Sequence, residues 1–234
     1  MTSYLGVDWG GSCWVVVETG DTPKITTEPS ILNVWETHRK QANAILVDIP
    51  IGLPKTGYRA CDREAKAQLQ DRGATVFSIP PREVVETDDY NDAREINDGS
   101  LGSQSWWLFP RILEVDVFLQ AHEDAQERVY ESHPEVCFSM LGGTVLRSKT
   151  DSEGIDDRLT LLEDQPALHK KVEKCVEKIR DGTEWHERIS KGRLDDVLAA
   201  AVLAYTAAEL ELGDRTNSSY PAFPAGKPEE DPVL

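Results

Sequence analysis

Residues 44–49 read AILVDI, a nearly unbroken apolar run with an aspartate near its end. A strand without polar alternation suits the centre of a sheet covered on both faces, the layout of α/β proteins. Just after Asp48, Pro50, Gly52 and Pro54 break regular structure and open a loop. The same pattern occurs earlier in the chain. Residues 4–18, YLGVDWGGSCWVVVE, read as two strands joined by a turn at Gly10-Gly11, with Asp8 where the first strand ends. An acid buried at a strand end needs a partner, and a metal cation is the usual one; for Asp8 taken alone, capping the turn is the simpler role. If the two strands lie parallel and adjacent, both carboxylates reach the carboxyl edge of one sheet, where α/β folds place ligands.

The remaining segments extend this into a β-β-β-α-β-α-insertion-α-β-α series. A third strand is expected over 24–28, between Pro23 and Pro29, then a helix over 30–43 capped by Ser30. A helix is expected over 59–72 with Gly73 as terminator, followed by a loop-rich insertion around 74–102. Residues 103–126 read as one long helix, apolar nearly all round and kinked near Pro110, with Trp106-Trp107 most simply in the core. Residues 128–133 form a short strand that carries a third acid, Glu131, and is closed by Pro134. A helical turn over 135–141 and helices over 155–163 and 167–181 follow. The clearest amphipathic helix spans 193–212, with a stripe of Leu194, Val197, Leu198, Ala201, Val202 and Tyr205. Asp195 and Asp196 open it, where first-turn acids favour the helix dipole, a sufficient structural reason for them. Residues 1–212 are thus expected to form one domain, and the polar, proline-rich residues 213–234 a surface wrap or disordered tail.

Composition narrows the function classes. The 234 residues carry 42 Asp and Glu against 25 Lys and Arg, a formal charge of −17. Such a chain repels itself unless salt screens it, which reads as adaptation to a saline, halophilic cytoplasm. With no Lys/Arg-rich tract, non-specific nucleic-acid binding loses support. No apolar run approaches the ~20 residues needed to span a bilayer, and no signal-peptide layout is visible, so a soluble, cytoplasmic protein is expected. Cys13, Cys61, Cys137 and Cys175 lack zinc-finger spacing and are expected to be reduced and mainly structural.

Carboxylates at Asp8, Asp48 and Glu131 end three strands, and Asp195 and Asp196 open the last helix. Converging on one edge, these hard oxygen donors suit Mg²⁺ or Mn²⁺. Two such ions about 3.5–4 Å apart would clamp the attacking water and the leaving oxygen of a phosphodiester. His133 is a candidate to orient a water or a carboxylate, although a lone His before Pro is more often structural. Arg82, with Arg59 and Arg63, is a candidate phosphate contact, pairing with nearby acids being the simpler reading.

GVDWGG at 6–11, VDIPIGLP at 47–54, CDREAK at 61–66, PPR at 80–82, ESHPEV at 131–136 and DDVLAA at 195–200 together resemble the DUF429 family of predicted nucleases. The resemblance implies a distantly RuvC-like, RNase H-like fold: a mixed five-stranded sheet of order 3-2-1-4-5, strand 2 antiparallel, flanked by helices. It also implies a metal site from Asp8, Asp48, Glu131 and the aspartates of the last helix, with a nucleic acid as substrate, DNA or RNA left open. One position departs from the pattern. The family often reads DDxLDA where this chain has Ala199, so the last ligand falls to Asp195 or Asp196, or is missing. A non-catalytic RNase H-like binding module is therefore the alternative. GVDWGGS also resembles the first phosphate loop of the sugar-kinase and actin superfamily, but an ATPase or phosphotransferase of that kind needs two copies of the fold.

Overall fold

A computed structural model describes residues 3–144, 146–149, 151–182 and 193–212. Five strands form one mixed sheet: β1 (Ser3–Trp9), β2 (Trp14–Glu18), β3 (Lys24–Glu28), β4 (Ala42–Val47) and β5 (Val129–Glu131), in the order β3-β2-β1-β4-β5. β2 runs antiparallel to both its neighbours, whereas β1, β4 and β5 are mutually parallel. The order and directions are those that the family resemblance implies. In register, Val7 pairs with Val47 and Val47 with Glu131, so the carboxyl ends of the three parallel strands lie abreast. The Asp48 amide extends that row by donating to the Val7 carbonyl at 2.9 Å.

The alternation of side chains across the sheet divides the core in two. Leu5, Val7, Val16, Ile45, Val47 and Val129 face one side. There they meet α1 (Ile31–His38) and α5 (Ser103–Ala121), together with α3 (Arg82–Val85), α4 (Tyr90–Ile96) and α6 (Glu123–Gln126). Val15, Val17 and Leu46 face the other side. They pack on α7 (Pro134–Gly142), α9 (Pro166–Arg180) and the almost wholly buried α10 (Leu194–Glu209), with α8 (Ser152–Thr160) alongside. Gly6 permits the close approach of β1 and α10. A Cβ there would lie 1.9 Å from the Ala200 carbonyl oxygen and 2.4 Å from the Ala204 amide.

Several element boundaries differ from expectation, for local physical reasons. The first helix stops at His38, not 43: its buried stripe is Ile31, Val34, Trp35 and His38, and a turn then delivers Ala42 into β4 beside Ser3. β4 accordingly begins at Ala42 and ends at Val47, leaving Asp48 one residue past the strand. The helix expected over 59–72 is α2 (Ala60–Gln68), after which Gln70–Thr75 tightens into a 3₁₀ segment. The insertion is not irregular throughout, because α3 and α4 dock Val84, Val85 and Ala93 into the core and Asp89 caps α4 by accepting from the Asn91 and Asp92 amides. The helix expected over 103–126 breaks at His122 into α5 and α6. Nor is it apolar all round: Trp107 and Val117 are 76% and 63% exposed. The 128–133 strand shortens to β5. The tail expected over 213–234 lies outside the described residues. No described helix is long and apolar enough to cross a membrane.

Candidate metal centre

Asp8 and Asp48 share a strand-face parity with Gly6 and Leu46, which pack against α10, and so both stand on the α10 side of the edge. The first turn of α10 brings Asp195 and Asp196 to the same place. Asp8 is buried, with one oxygen accepting from the Trp9 amide at 2.7 Å. Burial first, and then the neighbouring Asp48 charge, raise its carboxyl well above the usual range, while Lys149 pulls it back. Burial likewise lifts Asp48 to about 7; Lys149 opposes this, and Glu131, Asp196 and Glu135 add to it. Asp196 is lifted to about 8 by burial, Asp8 and Asp195, against Arg193 and Lys149. These are acids crowded together with too little positive charge between them.

The two aspartates of α10 differ. Asp195 lines the cleft and binds Lys149, Nζ to Oδ2 at 2.9 Å. Asp196 turns inward with its side chain 8% exposed, and its buried Oδ2 has no hydrogen-bond partner; Arg193 Nη1 stands 3.7 Å away. The turn after β1 passes close by, with Gly10 near enough that a Cβ there would sit 3.6 Å from this oxygen, an ordinary contact distance.

Glu131 belongs to the other face. It lies two residues from Val129 and abreast of Val47, both on the α5 side. Its carboxylate accepts from Arg59 at both oxygens, 2.7 and 2.6 Å, and from the Ile51 amide at 2.8 Å. Arg59 also donates to the buried Asp62 and to the Ile51 carbonyl, so this node fastens the loop after β4 to β5. Glu131 nevertheless lines the same cleft as Asp8 and Asp48 and its charge acts on Asp48, so this expected ligand reaches the site with its oxygens already engaged by Arg59.

Of the supporting residues, His133 faces the cleft half-buried, with an unpartnered Nδ1. Burial lowers its pKa, which keeps the ring neutral. Arg82 is not part of the site. It forms a bidentate pair with Asp116 at 2.7 and 2.9 Å and reaches Glu86 at 3.1 Å, the acid-pairing alternative that its sequence context favoured. Lys149 was not singled out from the sequence; it lies between α7 and α8 in a stretch with neither periodicity nor motif.

Asp8, Asp48, Glu131 and Asp195 line a cleft of about 760 Å³, with Trp9, Phe77, Leu108 and Met140 among its apolar lining and Arg72 and Arg158 among its basic lining. Arg158 is buried against Glu135, and Arg72 donates to the carbonyls of Leu146 and Arg147. Ala199 lines the same cleft one turn after Asp195.

A family model described as a protein of unknown function, DUF429, matches residues 6–225. The chain belongs to the DUF429 family. No curated protein and no solved structure matches it. For this DUF429 chain the fit to a divalent ion is tested by the donors themselves. Among the described residues no three acid, His or Cys side chains already converge as a ligand set. The orphaned Asp196 oxygen and the mutual repulsion of Asp8, Asp48 and Asp196 are nevertheless what a cation would relieve. All-oxygen donors of this kind fit Mg²⁺ or Mn²⁺.

Proposed function

We propose that this DUF429 protein is a metal-dependent nuclease that hydrolyses phosphodiester bonds. The observation that supports this reading is the gathering of Asp8, Asp48, Asp195 and Asp196 from β1, the end of β4 and α10 at one sheet edge beside an open cleft. A bound Mg²⁺ or Mn²⁺ would supply an acidified water and neutralise charge on the phosphate. Asp8, Asp48 and Asp196 would hold the ion, and the cleft would seat the substrate strand. Hydrolysis consumes one water and leaves a phosphomonoester and a hydroxyl. The neutral His133 borders the cleft and would be the neighbouring group able to orient a water there.

The test is cleavage of labelled single-stranded, duplex, hybrid and branched DNA and RNA in molar KCl with Mn²⁺ or Mg²⁺. Cleavage by the native protein that disappears in Asp8→Asn is the expected result. Cleavage that persists in Asp8→Asn would remove the acids from the reaction. A non-catalytic binding module is the second reading, favoured by Ala199 in the cleft wall and by the commitment of Glu131 to Arg59. It predicts binding of a partner protein, with no turnover of nucleic acid.

A further inference from the structure

We propose that Lys149 is the resident counter-cation of this centre: its ammonium stands in for a second ion, so the site takes one divalent cation held on the Asp196 side. The inference rests on the metal-dependent reading and specifies how that metal is bound. Lys149 Nζ lies 2.9 Å from Asp195 Oδ2, and its charge acts on Asp8, Asp48 and Asp196 as well. Charge balance then sets the capacity of the site. Glu131 is held by Arg59, which it shares with Asp62, and Glu135 by Arg158, so their oxygens are engaged and the balance at this edge is struck among the aspartates. The four aspartates carry −4 when ionised, and Lys149 with Arg193 returns +2. What remains is −2, the charge of one divalent ion.

The geometry divides the aspartates accordingly. Asp195 is occupied by the lysine, whereas Asp196 offers a buried oxygen with no hydrogen-bond donor. The Lys149 side chain is 48% exposed and borders the cleft, so its ammonium can also face an incoming phosphate. A fixed ammonium there would stabilise negative charge building on the phosphoryl oxygens, the task a second ion performs in two-metal sites.

Calorimetric titration of the full chain with MnCl₂ in 2 M KCl at pH 7.5 tests the proposal, with near-ultraviolet circular dichroism as a check on folding. The native protein should bind one Mn²⁺, Lys149→Arg should match it, and Lys149→Met should bind at least tenfold more tightly and accept a second ion. Two ions per native chain would overturn the inference without recourse to any variant. So would Lys149→Met with native affinity and stoichiometry, while loss of binding in Asp8→Asn left the metal reading standing. Absence of Mn²⁺ binding in both the native protein and Lys149→Met would bring down both readings together.

Discussion

Asp195 and Asp196 are adjacent, yet a helix turns successive side chains by about 100°, and that rotation decides their chemistry. The first meets Lys149 at the cleft; the second is driven under the Gly10 turn without a donor. An acid whose folded pKa is raised binds more protons folded than unfolded, so its contribution to stability falls as pH rises from the unfolded value, about 4, to the folded one. For Asp196, lifted to about 8, that window spans roughly pH 4 to 8. The metal-free protein should therefore melt lower at pH 8 than at pH 5.5. Asp196→Asn should remove part of that slope and raise the midpoint at pH 8 by roughly 3 °C in thermal denaturation, on the scale of 2–4 °C per kcal/mol for a chain of this size. Ala199 shares the Asp195 face of α10 and borders the cleft. Ala199→Asp should strengthen Mn²⁺ binding by about tenfold, the effect of one added unit of negative charge at partial screening, and titration calorimetry reads it directly.

Helix α10 lies flat on β1 because Gly6 has no side chain to hold it off. Gly6→Ala should cost at least about 2 kcal/mol, the upper range for forcing a methyl group into a packed core, and urea denaturation would measure the loss. The same substitution should weaken Mn²⁺ binding, since lifting α10 carries Asp196 away from Asp8. By contrast, the pair formed by Arg82 with Asp116 joins α3 to α5. Arg82→Met should cost about 1 kcal/mol, the scale of a well-formed surface pair, and leave Mn²⁺ affinity unchanged. These elements also show what the sequence disclosed. The strands ending near Asp8 and Asp48 were legible because apolar runs and glycine or proline punctuation are local signals. The face of Glu131 was not, because it depends on which residue of β5 aligns with Val47. Lys149 was invisible for a related reason: it reaches the acids through the path of an aperiodic connection. The helix ends at His38 and His122 carry no glycine or proline, and the mostly polar residues that follow, Arg39 to Gln41 and Glu123 to Gln126, are compatible with continued helix, so nothing local marks the break.

At the scale of the whole molecule, a charge of −17 is spread over a fold whose strongest cations near the cleft are already engaged. Arg59 serves Glu131 and Asp62, Arg158 serves Glu135, and Lys149 serves Asp195. Screening should therefore stabilise the protein, with the thermal midpoint rising as KCl is increased from 0.1 to 2 M. Those internal pairings also govern how a polyanion would arrive. An ordinary nucleic-acid enzyme draws its substrate in with unpaired lysines and arginines, and salt slows the encounter. Here the long-range field repels a phosphate chain, and attraction begins only within contact range of the centre. On the proposed nuclease reading, the association rate with nucleic acid should then rise with ionic strength, so that dilution, rather than salt, would slow the encounter.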